Sequence, residues 1–487
     1  MNESESLKQK TARGILWGTV GNGLMQLLNL AFGLFLANIL SRADYGVVGM
    51  LSIFTALVSS LQEGGLIAAL TNKKEARPED YNAVFWFSFL CSLVCYAILF
   101  LCAPLIAAHF HTPELLRLSR YAFLGFVIAS LSAAPCAYMF RNLMVKQRAL
   151  VMSLGLLCSG IVGVTLALLD FAYWALVAQN LTFVSFTCIG YWWHTPWRPT
   201  LRIDLRPLRG MFSFSCRLVV TNLFNVLNNN LLTYVLARHY HKEDVGLYTQ
   251  ASKWTTMGFS TLNGMITSVA QPVLVQVRHD RERQRRVFHK MLRLAAFVSF
   301  PGMWGLGLIS EELIYITVGT KWLPSVPFMQ LLCLSSAFLP LTALYGNLAN
   351  SEGRSGIYMW NTICLGLSQL LCAFLLYPYG IMPMLVGYAA LSILWTFVWH
   401  FTAGQLIGIS LSAALRDVAP YQLLTLAALG IAWWAACRIE SPYLSLPVKV
   451  LTAAAVYALL LWKLNSTLFR ESLQFLLRKK QPSETAS

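Results

Sequence analysis

Three ionisable side chains stand inside long apolar runs of the sequence: Glu63, Arg217 and Lys253. A charge at the centre of a bilayer costs about 3 kcal/mol or more unless it meets a partner or a water-filled cavity. Each lies about seven residues from the end of its run, which is about 10 Å along a helix. A guanidinium can hold a phosphate through two hydrogen bonds, and an ammonium is a compact charge that releases more readily. A carboxylate can pair with the guanidinium or carry a proton or Na+. The chemistry these types allow is capture and release of an anion. The same three also admit a structural reading, in which Glu63 and Arg217 form a buried pair and Lys253 snorkels to the interface. Beside them stands a cluster of amides, Asn222, Asn225, Asn228, Asn229 and Asn230 in the Arg217 run, with Gln26 and Asn29 in the first run. Asn222, Asn225 and Asn229 follow i, i+3, i+7 spacing and share one helical face. Amides suit sugar hydroxyls, and they equally hold transmembrane helices together. Both readings stay open at this point.

Other chemistry lacks its residues. No G-x-x-x-x-G-K-[ST] phosphate loop, G-x-S-x-G elbow or H-E-x-x-H zinc helix occurs. His109 with His111, and His239 with His241, make two H-x-H pairs in loops, without the further ligands a metal would need. They are expected to be exposed interfacial histidines. Eleven cysteines are scattered with no C-x-x-C pair, which indicates neither a zinc site nor a disulfide framework. No catalytic residue, metal or cofactor is expected, and the chain is not expected to be an enzyme.

The elements that must position these groups are apolar blocks of about 20 residues or more, the length that spans a bilayer as a helix. Hydrophobic residues make up 57% of the 487 and charged residues only 12%, half the usual charged share, with a mean hydropathy of +0.58. We place spans at 14–40, 46–70, 82–108, 121–140, 148–169, 171–193, 210–237, 246–272, 291–318, 326–350, 356–378, 381–407, 418–437 and 443–465. The narrowest break, at Asp170, separates the fifth and sixth. The polar, basic start precedes a block too long for a signal sequence and reads as a retained first span. With the N-terminus inside, and charges up to six residues inside a span end counted with the adjoining segment, the cytoplasmic segments hold 27 of the 37 Lys and Arg, the outer segments 8 and the spans 2. That bias sets both termini in the cytoplasm. It also accounts for the net charge of +16 without nucleic acid. The longest inner connection, QVRHDRERQRRVFHKMLR, reads as a helix lying on the inner leaflet. Glu311 and Glu312 are expected at the outer interface.

The chain also repeats itself. Residues 36–46, LANILSRADYG, and 236–246, LARHYHKEDVG, match at Leu36 and Leu236, Ala37 and Ala237, Asp44 and Asp244, and Gly46 and Gly246, with Arg42 matched in type by Lys242. The offset of 200 continues back to Asn22 and Asn222. Asp-x-Gly suits a tight turn that opens a helix. Six spans lie between the copies, so both point the same way. The expected fold is an all-α polytopic membrane protein of about 14 transmembrane helices. Two six-helix bundles, 1–200 and 201–409, are related by a pseudo-two-fold along the membrane normal, and 410–487 adds two helices and a cytoplasmic tail.

The LSRADYG turn, the QEGGLIAAL end of the second span, the basic loop into DYNAVFWFSF and YWALVAQ near the sixth span resemble the polysaccharide transporter family. That family belongs to the multidrug/oligosaccharidyl-lipid/polysaccharide flippase superfamily, and the likeness is to its colanic-acid-exporter-like and O-antigen-flippase-like members. The resemblance implies two lobes around a central cavity lined by spans one, two, seven and eight, which carry Glu63, Arg217 and Lys253. It implies a multi-pass protein of the bacterial inner membrane. Its substrate would be an undecaprenyl-diphosphate-linked oligosaccharide moved from inner to outer leaflet by alternating access, for lipopolysaccharide O-antigen, capsule or exopolysaccharide. H+ or Na+ would be a coupling ion, and a polysaccharide polymerase a partner. No family motif maps onto a coupling carboxylate here, and Glu63 is the one candidate. The alternative within the superfamily is a multidrug or cation antiporter. That reading expects an anionic or apolar cavity and usually twelve spans, against the two basic residues and two additional spans read here.

Overall fold

Side chains that a water-soluble helix would hide stand outside in this protein. Leu367, Leu371 and Leu375 form an i, i+4, i+8 stripe, each about 60% exposed, and Leu101 and Leu105 do the same on another helix. Such stripes suit contact with lipid. The computed structural model describes residues 7–63, 70, 77–142, 144–201 and 203–464. Among them it shows helices and no strand, as expected where backbone groups must be satisfied without water.

In chain order the α-helices are α1 (Leu7–Ile39), α2 (Arg42–Glu63), α3 (Pro78–His109), α4 (Leu115–Ser130), α5 (Ala133–Arg141), α6 (Val145–Leu168), α7 (Trp174–His194), α8 (Arg209–His239), α9 (Lys242–Gln276), α10 (Arg281–Leu308), α11 (Ser310–Val318), α12 (Val326–Ser336), α13 (Leu339–Ser351), α14 (Ser355–Leu376), α15 (Ile381–Ala403), α16 (Leu411–Ala436) and α17 (Pro442–Lys463). Helix lies in every one of the fourteen predicted spans, though three spans are broken. The fourth is α4 and α5, bent by 44°; the ninth is α10 and α11; the tenth is α12 and α13. By length and hydropathy, eight described helical segments can cross a membrane, or nine with the bent pair taken as one. The break at Asp170 is a turn in which Asp170 (φ 59°) and Ala172 (φ 48°) adopt left-handed backbone, so the chain reverses in five residues.

The helices group into two compact units, residues 1–249 and 250–487. In the first, α6 packs on α1 and α7, α3 on α4, and α2 on α8. One end of it is closed by aromatic rings: Tyr81, Phe85, Trp192 and Trp197 have centroids about 6 Å apart. The connection after α7 is tied down there, with Trp86 Nε1 donating to the Thr200 carbonyl at 2.8 Å and the Thr200 amide donating to Asn82 at 2.9 Å.

In the second unit α10 packs on α16, α16 on α17, and α14 on α15. Its basic segment differs from the sequence reading. Rather than a separate helix lying on the leaflet, residues 281–293 are the first turns of continuous α10, capped by Asp280. They are held from several sides. Arg281 pairs with Glu352 at 2.8 Å, Arg285 donates to the Ile407 carbonyl at 3.0 Å, and His289 and Arg293 both meet Asp417. Acids on neighbouring elements recruit this segment, and hydropathy along one chain does not register them. Glu312 likewise is buried rather than interfacial, bonded to Lys449 and Ser445 of α17.

Candidate functional site

The repeated turn ends and restarts its helices at matching positions in both copies. The helix before it ends at residue 39 or 239, and the next begins at 42 or 242. The Leu40 amide donates to the Leu36 carbonyl at 2.8 Å, and the Tyr240 amide to the Leu236 carbonyl at 2.9 Å. Asp44 accepts from the Ser41 amide and hydroxyl while its own amide donates to the Ser41 hydroxyl, a reciprocal cap. The two turns then meet each other. A Cβ on Gly46 would stand 1.8 Å from the Lys242 carbonyl oxygen, and one on Gly246 would stand 2.0 Å from the Arg42 carbonyl oxygen. Residue i of one copy touches j of the other and the reverse, the pattern of a two-fold contact. Gly49 continues it by packing on Thr249, its own counterpart in the repeat. Only glycine allows backbones to approach this closely.

Polar groups ring this crossing. Lys242 pairs with Glu114 at 3.2 Å, and a backbone hydrogen bond together with Lys242 holds the Glu114 carboxyl below the usual range. His109 bonds the Tyr234 hydroxyl at 3.1 Å with the rings stacked, and Arg238 reaches His111 at 3.4 Å. The two H-x-H pairs are therefore neighbours in space. Partial desolvation and then Arg238 push both His109 and His239 below the ordinary histidine pKa. No group of three possible metal ligands forms among the described residues.

A cavity of about 740 Å3 opens within the same unit, between α2, α4, α5, α6 and α7. It runs from Leu176 to Tyr191 along α7, about 22 Å at 1.5 Å per residue. Val48, Leu51, Phe126, Leu176, Phe183 and Val184 supply apolar wall. Its hydroxyls are already engaged: Thr55 donates to Ser52, Ser130 to Val127, Ser132 to Ala129 and Thr187 to Phe183 carbonyls. No acidic side chain is among the described lining residues, and Arg148 is their one cation. Its guanidinium lies 3.6 Å from the Phe140 ring centroid, and its Nε is buried without a hydrogen-bond partner.

The residues singled out in the sequence are placed as follows. Glu63 stands on α2, and Arg217 and Asn222 on α8, but their side chains lie outside the described residues. Asn225 is half-buried and Asn229 exposed on α8. Asn230 is the amide with an observed cross-helix role, its carbonyl oxygen accepting from the Ser52 hydroxyl of α2 at 3.4 Å. Lys253 falls on α9 in the second unit, half-buried, with no hydrogen-bond or ion-pair partner among the described residues. Arg148 was not singled out. In sequence it is one more basic residue beside a cytoplasmic loop, and nothing in its spacing points to Phe140 or to a cavity.

Helices of spanning length, lipid-facing apolar stripes and a duplicated turn define a polytopic helical membrane protein. The solved structures it resembles include the lipid II flippase MurJ in an inward closed conformation, at TM-score 0.66 and 14% identity over 92% of this chain and 99% of that one. A multidrug resistance MATE family transporter of the MOP superfamily, inward-facing, matches at TM-score 0.64 and 17% identity over 80% of this chain and 96% of that one. The chain belongs to the family described as Polysaccharide biosynthesis protein, which it matches over residues 35–327. Its relatives include the lipopolysaccharide biosynthesis protein WzxC of Escherichia coli (strain K12), 26% identical over 72% of each chain. The teichuronic acid biosynthesis protein TuaB of Bacillus subtilis (strain 168) is 23% identical over 88% of this chain and 89% of that one. The succinoglycan biosynthesis transport protein ExoT of Rhizobium meliloti (strain 1021) is 22% identical over 67% of this chain and 66% of that one.

Proposed function

We propose that the protein is a flippase of the bacterial inner membrane. It would carry an undecaprenyl-diphosphate-linked oligosaccharide from the cytoplasmic to the outer leaflet for surface polysaccharide synthesis. The observation that carries the reading is a helical fold shared over nearly the whole chain with a solved lipid II flippase, in a member of a polysaccharide biosynthesis family. Relatives that serve chemically different polysaccharides support a substrate class defined by its lipid carrier. In this reading fourteen spans place both termini in the cytoplasm. Residues 1–200 and 201–409 form the two bundles, and 410–487 adds two helices. Arg217 takes the diphosphate at the inner entrance and Lys253 releases it at the outer exit. Asn222, Asn225 and Asn229 meet the sugar, and Glu63 balances Arg217 or carries the coupling H+ or Na+. The step is physical transfer and breaks no covalent bond. A polysaccharide polymerase would receive the product.

The test is complementation of glycan export in cells lacking the endogenous flippase. Arg217→Ala and Lys253→Ala should each depress export at normal membrane abundance. Full export by both would remove the relay. The likeness to a multidrug transporter offers a second reading, cation extrusion. Export of glycan without any change in drug tolerance would decide against it.

A further inference from the structure

The cavity in the first unit has no part in the relay of Arg217 and Lys253. It combines a cation with no counter-charge among the described residues and walls that ask for hydrocarbon. Among the described residues the Arg148 side chain has no hydrogen-bond or ion-pair partner, and the Phe140 ring lies against its guanidinium. A cation in a largely apolar cavity is costly without an anion beside it. The lining hydroxyls of Thr55, Ser130, Ser132 and Thr187 bond to nearby backbone carbonyls and that of Ser52 to Asn230, so they present little unmet polarity. The lining amide, Asn180, is exposed, about 16 Å along α7 from Tyr191.

We propose that this cavity binds the phosphate end of a membrane amphiphile, with the phosphate on Arg148 and the first part of the hydrocarbon in the slot between α2, α4 and α7. Arg148 stands in the first turn of α6, so the phosphate sits at a helix end while the slot runs toward the other end of the unit. That is how a lipid is disposed across one leaflet. A free phosphate would leave the apolar length empty, and a neutral lipid would leave the guanidinium unmet. The chemistry is common to a polyprenyl phosphate, which would make this a holding place for the carried lipid, and to an anionic phospholipid resident beside the helices. The proposal stands whether or not the chain is a glycan flippase.

The experiment is native mass spectrometry of the delipidated, purified full-length protein titrated with undecaprenyl phosphate, phosphatidylglycerol, undecaprenol or inorganic phosphate. Undecaprenyl phosphate, phosphatidylglycerol or both should bind, with undecaprenol and inorganic phosphate at least about tenfold weaker. Losing one charge-assisted contact should lower affinity about tenfold to a hundredfold in Arg148→Gln, and less in Arg148→Lys. Ala129→Phe, which fills the slot and leaves Arg148 in place, should weaken both lipids as well. Preference for undecaprenyl phosphate assigns the carried lipid, and preference for phosphatidylglycerol assigns a resident one. Undecaprenol binding as tightly as its phosphate overturns the proposal, and that comparison needs no variant. Wild-type affinity in both Arg148→Gln and Ala129→Phe, each eluting and melting as wild type, overturns it too. Failure of the wild-type protein to restore glycan export, with lipid binding intact, would count against the transport reading and leave this site standing.

Discussion

Replacing Gly46 by alanine puts the two-fold crossing of the repeats to a test in which the sign of the effect is informative. In an unencumbered helix interior, Gly→Ala stabilises by about 1 kcal/mol. At this crossing the new Cβ would stand 1.8 Å from the Lys242 carbonyl oxygen, and contacts under 3.0 Å force something to shift. The obstacle is backbone and cannot rotate away, so the helices must separate by about 1.2 Å, the difference of those two distances. Overpacking of this kind costs about 1–3 kcal/mol, which reverses the sign expected from propensity. Gly246→Ala meets the Arg42 carbonyl oxygen at 2.0 Å and should behave alike. One separation relieves both clashes, so the double variant should cost about as much as the worse single one. Gly264→Ala, with nothing within 4 Å, is the control and should be neutral or stabilising. Reversible unfolding in mixed micelles, followed by tryptophan fluorescence, measures all four proteins. A stabilised Gly46→Ala, or single losses that add to within about 0.5 kcal/mol, would refute the reciprocal contact.

Two further outcomes follow from the geometry and one from the charge bias of the sequence. Glu312 and Lys449 are nine-tenths buried and paired, so Glu312→Gln or Lys449→Met alone should cost about 3 kcal/mol in the same assay. The double variant should cost clearly less than the sum, and equality with the sum would argue against a direct pair. His109 and His239 have folded-state pKa values below the ordinary one, so the unfolded chain protonates first and stability should fall as pH drops below about 6.5. His109→Gln with His239→Gln should flatten the melting temperature over that window, and an unchanged slope would assign the acid sensitivity elsewhere. Reporter fusions at Ser4 and Ser483 should both register as cytoplasmic, and a C-terminal fusion on the outer side would contradict an even number of spans.

Much of the fold was legible because the bilayer reduces sequence to one strong signal. Runs of apolar residues have to be helices of nearly fixed length, and helix is found in every segment where that signal placed a span. The Asp-x-Gly repeat was legible too, since its matched residues make matched hydrogen bonds at Leu40 and Tyr240. The breaks inside spans were harder. The turn between α4 and α5 is formed by Leu131 and Ser132, and neither type disrupts an apolar pattern. Ser132 can do so because its hydroxyl bonds back to the Ala129 carbonyl, a local option that hydropathy does not weigh.

Hydropathy gives depth along a helix and says nothing about which way a residue faces or what meets it. Lys449 lies six residues inside its predicted span at 443–465, near enough to the end to count with the outer charges. On α17, which begins at Pro442, the ammonium is two turns inside and meets Glu312, whose depth also reads as interfacial. Each residue alone looked ordinary, and the pair exists only because α17 lies on α11. Arg148 is the opposite case: its depth was assigned, but the cavity beside it is made by α2, α4 and α7, whose facing residues are chosen by packing. The crossing at Gly46 goes one step further, because the residue that demands glycine there is Lys242, 196 positions along the chain. A duplicated sequence announces that two such turns exist. That they touch, and so constrain each other, follows only from the two-fold relation, in which any contact from one copy must be returned by the other.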